Sequence, residues 1–189
     1  MVKFLSKTRF NPRSNDQIIM LTEDYEAIDF ASQKWIEQLK RYISTHKLQV
    51  ARLKELKRYY LGDNNIKYRP DKTDEFAADN RISSDFAKYI TIFEQGYMLG
   101  NPVKYTNEDK TLQDLIDAFS AQTNEAYHNI LIKTDLSIYG RAYELLNPEE
   151  DENGNVVLKL YHLAPEQTFV IYDDTYQQKS LLGVNYYEV

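Results

Sequence analysis

The sequence predicts an α+β protein, with a helical lobe first and an antiparallel β meander after it. Three observations carry that reading. Apolar residues recur at helical spacing from about residue 28 to residue 138. Beyond Gly140 the pattern changes to short β-branched and aromatic segments. Glycine, proline and Asn/Asp residues fall at the borders between segments, where the chain must turn. The expected divisions are a flexible N-terminal arm over residues 1–23, a helical part over 24–140 and a β part over 141–189.

The arm is polar, contains Asn11-Pro12 and shows no periodicity. Ala31, Trp35, Ile36, Leu39, Tyr42 and Ile43 then form a broad apolar stripe, and Val50, Leu53, Leu56 and Tyr60 form another. A break near Thr45-His46 would fold these two helices into a hairpin, with Gly62 just past the end of the second. Residues 62–79 are loop by composition. Ile82, Phe86, Tyr89, Ile90, Phe93 and Tyr97 hold one stripe, with Asn80 or Ser83 as N-cap and Gly100 and Pro102 as terminators. Val103 and Tyr105 allow a short strand. Two more amphipathic helices follow, one on Leu112, Leu115, Ile116 and Phe119, the other on Tyr127, Ile130, Leu131, Thr134 and Ile138. The lobe is thus a helical hairpin plus about three further helices, and Gly140 closes it.

Strands are expected at 142–146, 156–163, 168–172 and 181–189, with an acidic turn over 148–155. Asn153-Gly154 suits a hairpin because both residues tolerate positive φ. The sequence stops within a strand pattern, with no polar tail behind it, which reads as a truncated chain.

At 189 residues the chain is long enough for one or two domains and for a core that needs no disulfide or metal. No apolar run has the length of a membrane span, and the basic N-terminus lacks the apolar stretch of a signal peptide. The absence of cysteine removes thiol catalysis and thiolate metal sites. Net charge is −6, which argues against a protein that coats DNA. Residues 47–58 go against that balance, with Lys47, Arg52, Lys54, Lys57 and Arg58 facing only Glu55. The sixteen tyrosines fit either a tyrosine-rich sheet surface or an oligomer interface.

Catalytic signatures are missing. His46, His128 and His162 lie far apart in sequence, without the paired spacing of a zinc helix. The six glycines stand singly, and none builds a phosphate cradle. Glu149-Glu150-Asp151-Glu152 lacks the alternation of a calcium loop and reads as a solvated tip. Asp173-Asp174 invites a two-metal hydrolase reading, but before Thr175 it is more simply a turn leaving a strand. Arg52, Lys54, Lys57 and Arg58 are the candidate polyanion contacts. They do not all share a helical face, and a solvated helix C-terminus explains them without a ligand. No cofactor is implied.

Several segments, in order, carry a resemblance. They are Leu56-Lys57-Arg58-Tyr59-Tyr60-Leu61-Gly62, then Asn80-Arg81-Ile82 leading to Phe86-Ala87-Lys88-Tyr89-Ile90, then Gly96-Tyr97-Met98-Leu99-Gly100-Asn101-Pro102-Val103. Asp135-Leu136-Ser137-Ile138-Tyr139-Gly140-Arg141-Ala142-Tyr143 and Ile171-Tyr172-Asp173-Asp174 complete the set. From about residue 25 onward the chain resembles the portal proteins of tailed bacteriophages, in the branch common in phages of Gram-positive bacteria. Within that resemblance Tyr59, Tyr60, Gly62, Gly96, Tyr97, Gly100, Pro102, Tyr139, Gly140 and Arg141 are structural motif positions. Gly96 and Gly100 are expected to permit close backbone approach.

The resemblance implies the N-terminal wing portion of a non-enzymatic subunit. Twelve such subunits typically form a ring at one capsid vertex, assembled in the host cytoplasm. Implied partners are further copies of the chain, capsid and scaffolding proteins, terminase and a head–tail adaptor, with double-stranded DNA passing through the channel and no membrane. Portal proteins of this branch are several hundred residues long. The competing reading is a self-standing adaptor that binds a protein or polyanion through the basic helix 47–58.

Overall fold

The computed structural model describes residues 17–20, 25–26, 28–70, 76, 78–152 and 154–187. Its elements are β1 (Ile18–Met20), α1 (Gln33–Tyr60), a short 3-10 helix (Asn65–Tyr68), α2 (Phe86–Leu99), α3 (Lys110–Thr123), α4 (Glu125–Tyr139), β2 (Tyr143–Glu150), β3 (Val156–Leu163), β4 (Thr168–Asp173) and β5 (Ser180–Asn185). The α+β class is as expected, helices first and most strands after. By contact the chain divides into two units, Met1–Phe86 with Glu166–Val189, and Ala87–Pro165. These units cut across the helical and β parts, since each combines helix and sheet.

The first unit is built on α1. It starts where Ser32, in extended backbone conformation, accepts the Trp35 amide on its hydroxyl at 3.2 Å. The expected hairpin is instead one helix of 28 residues. Ser44 and Thr45 donate their hydroxyls to the Lys40 and Arg41 carbonyls, at 2.8 and 3.1 Å, so neither competes for a turn. No glycine or proline interrupts the segment. The two apolar stripes are also continuous, because Trp35, Leu39, Tyr42, His46, Gln49, Leu53 and Leu56 keep a spacing of three or four throughout.

The sheet of this unit has the order β1-β4-β5. The expected single antiparallel meander is corrected here. β4 pairs antiparallel with β5, but on its other edge it pairs parallel with β1, Ile18 opposite Ile171 and Met20 opposite Asp173. The described part of the expected arm, residues 17–20, therefore includes a strand whose Ile18 and Met20 are buried; residues 1–16 and 21–23 lie outside the described residues. As the central strand, β4 is paired on both edges; Phe169, Ile171 and Asp173 are buried on one face, and Val170 and Tyr172 are half-buried on the other. Ile18, Met20, Phe169 and Ile171 form the core, with Trp35, Tyr42 and Ile43 of α1 packed against it. Each such side chain contributes roughly 2 kcal/mol on burial. His46 is fully buried among them, 4.9 Å ring to ring from Phe169, with Nδ1 2.9 Å from the Tyr186 hydroxyl.

The second unit contains α2 from Ala87 onward, α3, α4 and the β2-β3 hairpin. β2 runs through Pro148 to Glu150, in register with Leu158 and Val156, so the first three residues of the expected acidic turn are strand and the turn is confined to 151–155. Asp151 organises the turn, accepting the Gly154 amide on its carbonyl and the Asn155 amide on its carboxylate. Gly154 has φ +82°; Asn153 lies outside the described residues.

α2 begins at Phe86, four residues later than Ile82 suggested, because Ser83 is used elsewhere: its hydroxyl donates to the Gly62 carbonyl at 2.8 Å. Residues 103–105 form no strand; Gln113 holds that stretch instead, donating to the Tyr105 carbonyl and accepting the Asn107 amide. Asp109 caps α3 and Gly140, at φ +71°, closes α4.

Candidate functional site

The basic stretch 47–58 lies on the second half of α1. Arg58 is committed to structure. Its guanidinium forks onto both Glu55 carboxylate oxygens at 2.6 and 3.1 Å, donates to the Asp63 carbonyl and the Asn65 side chain, and lies 5.1 and 5.6 Å from the Tyr59 and Tyr68 ring centres. The Glu55 hydrogen bond raises its pKa further. Arg58 thus fastens the helix end to the loop beyond it. Lys57 pairs with Glu166 at 3.2 Å, and Arg52 is half-buried. Lys54 is exposed and lines a cleft of about 530 Å³ with Lys47, Gln167, Tyr186 and Tyr187.

The motif positions are mostly helix ends. Gly62, at φ +75°, donates its amide to the Tyr59 carbonyl and Asp63 donates to Arg58, both at 3.0 Å, a Schellman motif that requires glycine. Tyr59 and Tyr60 precede it, the first exposed and the second half-buried. Gly140 repeats the left-handed stop between Tyr139 and Arg141, both half-buried. A Cβ at Gly100 would strike the Gly96 carbonyl, which lies one turn back in the same helix and accepts the Gly100 amide at 3.1 Å. Around a Cβ at Gly96 nothing lies within 4 Å. Pro102 is exposed just past the helix.

The apolar stripe of α2 is the largest departure from expectation. Tyr89, Ile90, Phe93 and Tyr97 are exposed, Tyr97 to 85%. The helix packs on α4 through its polar side instead. Thr91 and Ser137 meet hydroxyl to hydroxyl at 3.1 Å, Lys133 pairs with Glu94 at 2.9 Å, and Gln95 donates to Thr134. Lys133 holds the Glu94 carboxyl below its usual range.

Elsewhere in this unit lies an apolar groove of about 520 Å³, lined by Tyr105, Leu112, Leu115, Ile116, Phe119 and Leu158. Glu125 marks its polar end, its pKa lowered by the Ser120 hydroxyl and the Tyr105 phenol.

Sequence reasoning missed one seam. His128 and Asp135 stand two turns apart on one side of α4, and the sheet answers each: His128 lies 2.9 Å from Glu144, and Asp135 lies 2.7 Å from His162. Glu144 and His162 are directly opposed across β2 and β3. The signal available was the spacing of seven between His128 and Asp135 on a helix, but the partners come from strands. Asp173 ends β4 and organises the turn that follows, buried and accepting from the Thr175 hydroxyl and the Lys179 amide. Among the described residues no three His, Cys, Asp or Glu side chains gather as a metal site requires. Nor, among them, is any helix long and apolar enough to cross a membrane.

The described residues thus bring together helix stops, an exposed apolar ridge and two histidine–carboxylate pairs. The family described as "Phage portal protein, SPP1 Gp6-like" matches residues 39–189, and the chain belongs to that family. It is similar to the portal protein of Bacillus phage SPP1, 24% identical over 139 residues. That match takes in 69% of this chain and 27% of the relative, so the chain spans about a quarter of the curated relative's length.

Proposed function

We propose that the chain is the wing portion of a phage portal subunit, a structural and non-enzymatic part of the ring at one vertex of the capsid. The observation that carries this reading is the family match over residues 39–189, which takes in all the motif segments from Leu56 to Asp174. The ring, typically of twelve subunits, conducts double-stranded DNA during packaging and ejection. It docks terminase, capsid and scaffolding proteins and a head–tail adaptor. The chemistry of the chain supports this role: its ordered side-chain networks join helix to loop and helix to sheet.

Immunogold electron microscopy tests the reading, using an antibody raised against this chain on particles of the phage that encodes it. Label at the single vertex that carries the tail is expected. Label over the whole capsid, along the tail or nowhere on the particle would overturn it.

A further inference from the structure

The second unit carries two apolar surfaces of unlike shape, and α4 separates them. At about 100° per residue, His128 and Asp135 of α4, which meet the sheet, lie half a turn away from Ile130, Thr134 and Ser137, which meet α2. The layers therefore run hairpin, α4, α2. Tyr89, Ile90, Phe93 and Tyr97 lie on the side of α2 opposite Thr91 and Gln95, which makes them the outer ridge of the unit. The groove lies between α3 and Leu158 of β3, and no residue of α2 lines it.

At 53–85% exposure these four side chains leave uncovered roughly 500 Å² of surface, given 150–250 Å² for each aromatic ring. That is a large part of the roughly 800 Å² each partner buries in a stable interface, and polar rims supply the rest. A patch of this size is at the upper end of what monomeric proteins expose, where patches are often functional. A symmetric α2–α2 pair would cover the ridge and leave the groove open, whereas one head-to-tail contact covers both, and two different surfaces on one body are what such association requires.

We infer that the Tyr89–Ile90–Phe93–Tyr97 ridge of one copy seats in the Leu112–Leu115–Phe119 groove of the next. The inference deepens the portal reading, on which it rests for the presence of further copies. Seating the ridge strands no unpartnered carboxylate, because Glu125 at the polar end of the groove already accepts hydrogen bonds from Ser120, Tyr105 and Asn129.

The chain has no cysteine, so single-cysteine variants test the contact directly. Tyr97→Cys and Leu115→Cys both alter exposed positions. Treated with a short bis-maleimide, the mixture of the two is expected to give a cross-linked dimer that neither gives alone. Phe93→Glu, with helicity unchanged by circular dichroism, should weaken self-association in sedimentation by about 30-fold, the loss of one interface hot spot. Cross-linking of Tyr97→Cys alone to the same extent would overturn the inference in favour of symmetric pairing. A wild-type chain that stays monomeric with no mixed cross-link would overturn it in favour of a different occupant. Assembly without the mixed cross-link would overturn this interface alone and leave the portal reading standing, whereas mislocated immunogold label would overturn the portal reading itself.

Discussion

The Thr91 hydroxyl on α2 and the Ser137 hydroxyl on α4 lie 3.1 Å apart, and this contact sets which way α2 faces. A helix with a strong apolar stripe is expected to bury it. Here the polar side is buried, because Thr91, Glu94 and Gln95 each find a matching partner on α4. The consequence is an apolar ridge turned outward, available to another surface.

The hydroxyl pair should be measurable as a coupling. In a double-mutant cycle with Thr91→Val and Ser137→Ala, urea denaturation should return an interaction energy of about 1 kcal/mol, typical of a part-buried neutral hydrogen bond. Strict additivity would mean the two hydroxyls act independently.

The two motif glycines should respond in opposite directions. Gly62→Ala forces a side chain into left-handed backbone and against Asp85, and should cost about 1–2 kcal/mol. Gly96→Ala sits in open space within α2 and should stabilise by about 0.5–1 kcal/mol through helix propensity. Thermal melts of both variants separate the cases. Equal destabilisation would contradict the geometry at Gly96.

Among the basic residues of α1, Arg58 and Lys54 should differ sharply. Arg58→Met leaves the Glu55 carboxylate and the Asp63 carbonyl without their donor, and should cost about 2 kcal/mol. Lys54→Ala should change stability by less than about 0.5 kcal/mol. The midpoint of chemical denaturation reports both.

Glu149 should stay ionised in acid. The Lys159 ammonium, with Tyr161 and Asn147, pushes its carboxyl down to about 2 from the ordinary 4.5. A depressed folded-state pKa stabilises the hairpin above the unfolded value, and that contribution disappears as pH falls from about 4.5 toward 2. In a carbon-detected NMR titration Lys159→Met should move the Glu149 midpoint upward. No movement would mean that the ion pair is not formed in solution.

What could be read in the sequence was whatever depends on neighbours along the chain. The helices near 33–60, 110–123 and 125–139, the stops at Gly62 and Gly140 and the return strand at Val156–Leu163 all follow from periodicity and local backbone chemistry. The false break at Thr45-His46 shows the limit of that reasoning. Weak helix formers suggest an end, yet their hydroxyls bond back to the preceding turn and tertiary burial of His46 carries the helix through.

The sequence by itself determined the class of the protein, the helix stops at Gly62, Gly100 and Gly140 and the family to which its motifs belong. Only the tertiary structure decided which faces are buried. Pairing of Ile18–Met20 with β4, the meeting of Asp135 with His162, the capture of Arg58 by Glu55 and Asp63 and the outward turn of the α2 ridge depend on which surface reaches each residue first. Periodicity records that a helix has an apolar side. It does not record whether the covering surface comes from the same fold, and for α2 the polar contacts to α4 settle that within this chain.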